Sequence, residues 1–222
     1  MSGALDLRFL RQGGQTVEDI AGSLAAFLAT AQRDVAIAIY DFHVGLTTSH
    51  AYASPAWQWP FLGRPTFMYW HSVAFGEEGC EARSGCVQVI SSVPNPLIWF
   101  AAVAAVIFLA YRLLRTPDWR YAAVLTGVAV TYVPWLLYPQ RTIFQFYTVT
   151  ILPFMLLALM FALRELAGSP SASTHRRASG QGVIVVFLVV ALLVSAFFYP
   201  VWTGMEVPYD FWRLHNWSPT WV

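Results

Sequence analysis

Residues 97–114 decide the fold, and they read LIWFAAVAAVIFLAYRLL. A helix of about 20 predominantly apolar residues crosses the ~30 Å hydrocarbon layer of a membrane. Arg112 is the one charged residue of this stretch and lies near its end, where a long side chain can carry its charge to the interface. The stretch therefore predicts a transmembrane helix. We predict four such helices, at about 97–114, 121–138, 143–163 and 183–202.

Composition supports a membrane protein. Of the 222 residues, 57% are hydrophobic and 11% are charged, whereas soluble domains carry roughly 25% charged residues. A net charge of +1 excludes general attraction to nucleic acid. Prolines inside two of the segments, Pro134 and Pro153, are tolerated because neighbouring helices can satisfy the freed carbonyl groups. The predicted fold class is a mainly α, polytopic membrane protein whose membrane domain covers residues 97–222.

The arginines predict the orientation of this domain. Cytoplasmic loops of membrane proteins carry an excess of basic residues. On the opposite side of the predicted bundle, the loop between the second and third helices has only Arg141. Residues before 97 and after 202 are therefore predicted to lie outside the cytoplasm, in a multi-pass protein of the plasma membrane. The six arginines that mark the cytoplasmic side are Arg112, Arg115, Arg120, Arg164, Arg176 and Arg177.

Cys80 and Cys86 are the two cysteines, with five residues between them. A metal site would need more ligands at closer spacing, so we expect no metal. Two unrelated thiols are one interpretation. A disulfide across a short loop is the other, and an oxidising exterior favours it.

Residues 1–41 differ from the rest of the chain. Alternating residues at 5–10 and 35–40 predict two strands, and apolar spacing over 17–28 predicts a helix between them, which together make a βαβ-like remnant. The runs FLRQGGQ at 9–15 and IAIYDF at 37–42 weakly resemble the opening of phospholipase-D-like domains. The catalytic His-x-Lys pair of that family is absent because the chain has no lysine. We assign this segment no chemistry, and an anchored phospholipase-D-like protein is the least favoured interpretation.

Residues 42–96 form an aromatic segment with candidate binding residues. Trp57 and Trp59 are typical of a membrane-interface anchor, with sugar stacking as the alternative. No carboxylate lies near enough in sequence to orient His43 or His50 convincingly, which favours single hydrogen bonds over acid–base chemistry. Arg141 is predicted to lie at the same membrane face, where a guanidinium group can grip a lipid phosphate or simply extend to the interface.

Residues 40–222 resemble the C-terminal membrane block of bacterial, actinobacterial-type protein O-mannosyltransferases. The resemblance implies a glycosyltransferase of the GT-C type, which moves mannose from membrane polyprenyl-phosphate-mannose to Ser or Thr hydroxyls of exported proteins without a cofactor. The polar and aromatic landmarks that carry it are Ser49-His50, Tyr52, Trp57, Trp59-Pro60, Arg64-Pro65, Cys80, Cys86, Asn95-Pro96, Asp118-Trp119-Arg120-Tyr121, Pro134-Trp135, Arg141, Phe146-Tyr147, Pro153-Phe154, Tyr199-Pro200, Trp217 and Trp221.

The resemblance also implies roles for individual residues. The donor lipid phosphate is expected at Arg141, Gln145 and Tyr147. The acceptor and sugar side is expected at His43, His50, Trp57, Trp59 and Arg64.

The base of this family is an adjacent Asp-Glu pair in an N-terminal membrane half, and the chain has no Asp-Glu dipeptide. We therefore assign no catalytic residue and expect no activity from the chain alone. A separate N-terminal half is one expected partner. The alternative is a non-catalytic membrane module that binds polyprenyl phosphate or scaffolds another subunit.

Overall fold

A computed structural model describes residues 17–221 of the chain, which divides into two compact units between Thr47 and Thr48. The described part of the first unit is a helix of 28 residues, α1 (Val17–Val44). The strand predicted at 35–40 is therefore wrong, and the predicted strand at 5–10 lies outside the described residues. Val, Ile and Ala alternate over 35–39, but alanine is the strongest helix former, and no Gly or Pro lies between Gly22 and Gly45.

The second unit is mainly helical, as predicted. Of the described helices, α2 (Pro96–Arg115) and α5 (Thr174–Thr203) are long and apolar enough to cross a membrane by length and composition. The predicted start of the third segment at 143 is wrong, because Gln145–Thr150 is a 3-10 helix. Proline favours the first turn of a helix, and Pro153 opens the α-helix that follows. The four long helices are α2 (Pro96–Arg115), α3 (Trp119–Leu136), α4 (Leu152–Ala167) and α5 (Thr174–Thr203).

A three-stranded antiparallel sheet, which our sequence analysis did not predict, combines two strands that precede α2 with one strand that follows α5. Its strands are β1 (Phe67–Val73), β2 (Cys86–Ser91) and β3 (Glu206–Pro208), in the order β1-β2-β3. Cys86 lies opposite Val73 on one side and Pro208 on the other. The structure joins Cys86 to Cys80 by a disulfide within the connection between β1 and β2.

Asn95 fastens the end of this sheet region to two helices. Its side-chain oxygen accepts the backbone N–H of Ile98 at 3.1 Å and so caps α2. Its Nδ2 donates to the Ala191 carbonyl at 2.9 Å and to Ser195 Oγ at 2.8 Å, both on α5. One buried amide therefore fixes the start of α2 against the middle of α5.

The other ends of α2, α3 and α4 meet at Glu165. Arg112 Nη1 donates to Glu165 Oε2 at 3.1 Å, and the Tyr121 hydroxyl donates to Oε1 at 3.1 Å. The sequence analysis did not predict this ion pair, which joins the end of α2 to the end of α4. We call the region that holds this network the arginine end (residues 109–121 and 162–180). The opposite region is the aromatic end (residues 48–67, 132–151 and 205–221).

Candidate functional site

Two hydrogen bonds tie the segment that follows Thr47 to the connection between α3 and α4. The Thr142 hydroxyl donates to the Thr48 carbonyl, and the Ser54 backbone N–H donates to the Ile143 carbonyl at 2.8 Å. Residues 94 positions apart in sequence thereby become neighbours. This arrangement brings His50 beside the segment that carries Arg141.

Arg141 lies over an aromatic platform. Its guanidinium carbon is 5.4 Å from the centroid of the Trp135 ring, a distance typical of a cation–π contact. Trp135 packs on Tyr147 at 5.1 Å, and Phe144 packs on His50 at 5.1 Å. Phe144 and Tyr147 complete the chain of contacts at 6.0 Å. We call these five residues the Arg141 cluster.

His50 contributes a hydrogen-bond donor to this cluster. Its Nδ1 accepts the backbone N–H of Tyr52 at 3.1 Å. In the neutral ring, the proton therefore resides on Nε2. The ring of His50 is exposed, so that proton can be donated to a phosphate or hydroxyl oxygen of a ligand.

Gln145 follows Phe144 of the cluster in sequence, and its side chain is buried rather than on the surface. The residue is 1% exposed, and neither Nε2 nor Oε1 has a hydrogen-bond partner among residues 17–221. A buried amide that makes no hydrogen bond costs about 1–3 kcal/mol. The structure therefore leaves the hydrogen-bonding capacity of the Gln145 amide unused.

The two tryptophans of the aromatic segment have opposite environments. Trp57 is 61% exposed, as an interfacial anchor or a sugar-stacking ring must be, whereas Trp59 is 1% exposed. Trp59 Nε1 donates to the Ser54 carbonyl at 2.9 Å, and its ring packs on Trp135 at 5.9 Å. A surface role for Trp59 is therefore wrong, because the ring is part of the core that supports the Arg141 cluster.

An apolar cleft of about 300 Å³ adjoins the cluster. Trp59 connects the cleft to the cluster, since its ring lines the cleft and also contacts Trp135 of the cluster. The cleft is formed by the 3-10 helix Ala56–Phe61 together with α2, α3 and the start of α4. Its lining includes Phe61, Trp99, Tyr132, Ile151 and Met155. A cation and an apolar cleft are thus joined through two packed indole rings, which is an arrangement suited to an amphipathic ligand.

The remaining predicted binding residues are His43 and Arg64. His43 lies on α1, in the other compact unit. Arg64 is engaged in bracing the fold: its Nε donates to the Ala51 carbonyl at 2.6 Å, and its Nη1 donates to the Thr220 carbonyl at 3.2 Å. Arg64 therefore ties the aromatic segment to the C-terminal tail.

The segments that build the Arg141 cluster contain no carboxylate. Neither stretch that builds the cluster, 48–76 or 119–164, contains Asp or Glu. The acidic residues of this unit are in the connection between β1 and β2, at the arginine end, and beside β3. Within residues 17–221, no three His, Cys, Asp or Glu side chains are grouped to hold a metal ion. The cluster can bind an anion and donate hydrogen bonds, but it holds no carboxylate.

Comparison with known proteins agrees with this architecture. The structure resembles the yeast (S. cerevisiae) protein O-mannosyltransferase Pmt1-Pmt2 complex bound to the sugar donor, with a TM-score of 0.64 over 90% of this chain and 27% of that chain. Sequence identity to it is 21%, so this likeness describes the fold alone.

The curated relatives are bacterial. The chain is 35% identical over 191 residues to the polyprenol-phosphate-mannose–protein mannosyltransferase of Mycobacterium tuberculosis, covering 82% of this chain and 35% of that protein. Identity to the enzyme of the same name from Mycolicibacterium smegmatis is 31%, covering 83% of this chain and 36% of that protein. The chain thus matches about a third of the length of these relatives.

A family model matches residues 33–221, which include the last turns of α1. This range begins within α1, includes residues 35–40 that were predicted as a strand, and continues through the aromatic segment and all four long helices. The chain therefore belongs to the family described as the C-terminal four TMM region of protein-O-mannosyltransferase.

Proposed function

We propose that this chain forms the C-terminal membrane part of an enzyme that transfers mannose from polyprenyl-phosphate-mannose to Ser or Thr hydroxyls of exported proteins. One observation carries the proposal: the Arg141 cluster adjoins an apolar cleft. A polyprenyl phosphate has the same two parts, an anionic head and an apolar chain. The names of the relatives point to the same donor.

In this proposal, Arg141 binds the phosphate and the cleft takes the first part of the polyprenyl chain. The acceptor hydroxyl attacks the anomeric carbon, the bond from that carbon to the phosphate oxygen breaks, and the phosphate leaves with the electron pair. A guanidinium group beside the leaving oxygen stabilises the charge that develops there. The Nε2 proton of His50 and the unused amide of Gln145 are further donors for this head group.

The resemblance implies that a carboxylate acts as the general base that takes the hydroxyl proton. Because the stretches that form the Arg141 cluster contain no Asp or Glu, we propose that the base belongs to another part of the enzyme. The chain alone is then inactive and depends on that part, whether it is supplied in cis or in trans. The four long helices would cross the membrane, with the aromatic end outside the cytoplasm and both ends of the membrane block on that side.

The donor site is tested by binding of polyprenyl phosphate to the purified full chain in detergent micelles. Arg141→Gln removes a charge-assisted contact of about 1.5–3 kcal/mol, so the dissociation constant should rise at least tenfold. Arg141→Lys should retain part of the affinity. Arg83→Gln removes an exposed arginine between β1 and β2 and should change nothing. Equal affinity for the wild type and Arg141→Gln contradicts the assignment.

A non-catalytic module is the second candidate, and the lack of a carboxylate at the Arg141 cluster favours it. Transfer of labelled mannose from polyprenyl-phosphate-mannose is measured in membranes that contain this chain, with and without the remaining part of a related enzyme. Activity only in the combined membranes supports the enzyme. Binding without transfer in both supports the module. Transfer by the chain alone contradicts the module and the expected inactivity.

A further inference from the structure

A polar cavity at the arginine end has no part in the proposed reaction. Its volume is about 370 Å³. It opens where α2, α3 and α4 end or begin, so the length of α2, 20 residues, separates it from the aromatic end by about 30 Å. Its charged lining residues are Arg112, Asp118, Arg120, Arg164 and Glu165.

The charges of this cavity do not balance. Glu165 pairs with Arg112 at 3.1 Å, and Asp118 pairs with Arg120 at 2.8 Å. The hydrogen bonds from Arg120 hold the pKa of Asp118 below its usual value, so this carboxylate is ionised near neutral pH. Arg164 makes no hydrogen bond or ion pair with any of residues 17–221. One positive charge therefore remains for a ligand.

Additional donors surround the entrance. Arg112 Nε is buried and has no hydrogen-bond partner among the described residues. Gly168 lines the cavity, and a Cβ built on it would contact Arg177 Cγ at 3.5 Å. Arg176 lies nearby as well, with its Nη1 on the Leu166 carbonyl at 2.9 Å. An anion in the cavity would thus meet the arginines of α2, α3 and α4 that line it, while Arg176 and Arg177 of α5 lie near its Gly168 side.

Apolar side chains at this end indicate that the anion is attached to a lipid. Trp119 is 77% exposed and Leu114 is 86% exposed. Tryptophan favours the head-group level of a bilayer, and basic pockets between membrane helices on the cytoplasmic side bind anionic head groups. An ordinary soluble surface would not place these apolar groups beside an arginine-lined cavity.

We propose that this cavity binds the phosphodiester head group of an anionic phospholipid in the leaflet opposite the donor site. Arg164 supplies the uncompensated charge, and Phe161, which lines the same cavity, contacts the glycerol or the upper acyl chain. The proposal rests on the membrane placement proposed above and not on mannose transfer. Loss of donor binding in Arg141→Gln therefore leaves it unaffected.

The test uses the full chain in nanodiscs that contain equal amounts of phosphatidylglycerol and phosphatidylcholine. Native mass spectrometry counts the lipids that remain bound. We expect preferential retention of phosphatidylglycerol, and we expect Arg164→Gln to weaken it about fivefold, the effect of one arginine at a membrane surface. Arg164→Lys keeps the charge and should keep most of the binding. Arg83→Gln, at the other end, should leave it unchanged.

Three outcomes overturn the proposal. Equal retention of the two lipids removes the preference for an anion. Equal losses of phosphatidylglycerol binding in Arg164→Gln and Arg83→Gln would show that the cavity does not cause the preference. Thermal stabilisation by inorganic phosphate that depends on Arg164, without any preference for phosphatidylglycerol, identifies a phosphate site rather than a lipid site. Circular dichroism of each variant checks that it is folded, and Arg164→Lys provides a second folded variant.

Discussion

The two ends of the helical unit hold their arginines in different ways. At the aromatic end, Arg141 lies on the Trp135 ring, and packed rings surround it. At the arginine end, Arg112 is held by Glu165, and Arg120 is held by Asp118. A cation–π contact positions a guanidinium group without itself neutralising the charge, whereas a carboxylate neutralises it. This difference explains why the end with fewer arginines is the better candidate for gripping a reacting phosphate.

The ends also differ in what gives them rigidity. At the aromatic end, side chains of distant segments donate to the backbone of residues 56–62: the Tyr132 hydroxyl to Ala56 at 2.9 Å, Trp99 Nε1 to Pro60 at 3.2 Å, and Trp221 Nε1 to Leu62 at 2.6 Å. At the arginine end, α4 and α5 approach so closely that their backbones nearly touch at Gly180. Substitutions at the two ends can therefore measure separately how much ring packing and close backbone packing contribute to stability.

The largest effect is expected at Trp59. Trp59→Ala removes a buried ring beneath the Arg141 cluster and should lower the free energy of unfolding by about 3–5 kcal/mol. Trp57→Ala removes a ring that is 61% exposed and should change it by less than about 0.5 kcal/mol. Denaturant titrations in detergent, followed by circular dichroism, measure both. Similar losses in the two variants would mean that the buried indole does not support the aromatic end.

A smaller effect is expected at Gly180. A Cβ on this residue would lie 2.0 Å from the Leu166 carbonyl oxygen, so Gly180→Ala must push α5 away from α4, at a cost of about 1–3 kcal/mol. Gly182 lies on the same helix, with nothing within 4 Å of its Cβ position. Gly182→Ala should be neutral or stabilising by up to about 1 kcal/mol. The same titrations measure this pair, and equal values for the two alanines would rule out the close approach.

The sequence pattern predicted those elements whose conformation depends mainly on their own residues. The apolar run at 97–114 became α2 almost residue for residue, because both its length and its composition favour a helix. Residues 35–40 were assigned wrongly, since Val, Ile and Ala in alternation fit a strand and a helix equally well. β3 could not be predicted from its own three residues, because only the return of the chain after α5 brings it beside β2.

In the candidate site, too, the sequence indicates some features, while others depend on tertiary packing. Arg141 stands out in the sequence because the aromatic run Phe144 to Tyr147 follows it closely. Periodicity could not distinguish Trp57 from Trp59, since both precede Pro60 in one short 3-10 helix and only the tertiary packing buries one of them. The ion pair between Arg112 and Glu165 joins residues 53 positions apart, and two charged residues near separate helix ends do not reveal that they meet.

Both proposals depend on the two ends of the helical unit facing opposite sides of the membrane, and impermeant thiol labelling tests this most directly. The native cysteines are joined in a disulfide, so single cysteines introduced by Gln140→Cys at the aromatic end or Ser171→Cys at the arginine end provide the reactive thiols. Both positions are exposed. We predict that intact cells, with the outer cell-envelope layers made permeable to the reagent, label Gln140→Cys. Ser171→Cys should react only after the plasma membrane is opened. Labelling of both in intact cells, or the reverse pattern, contradicts the account.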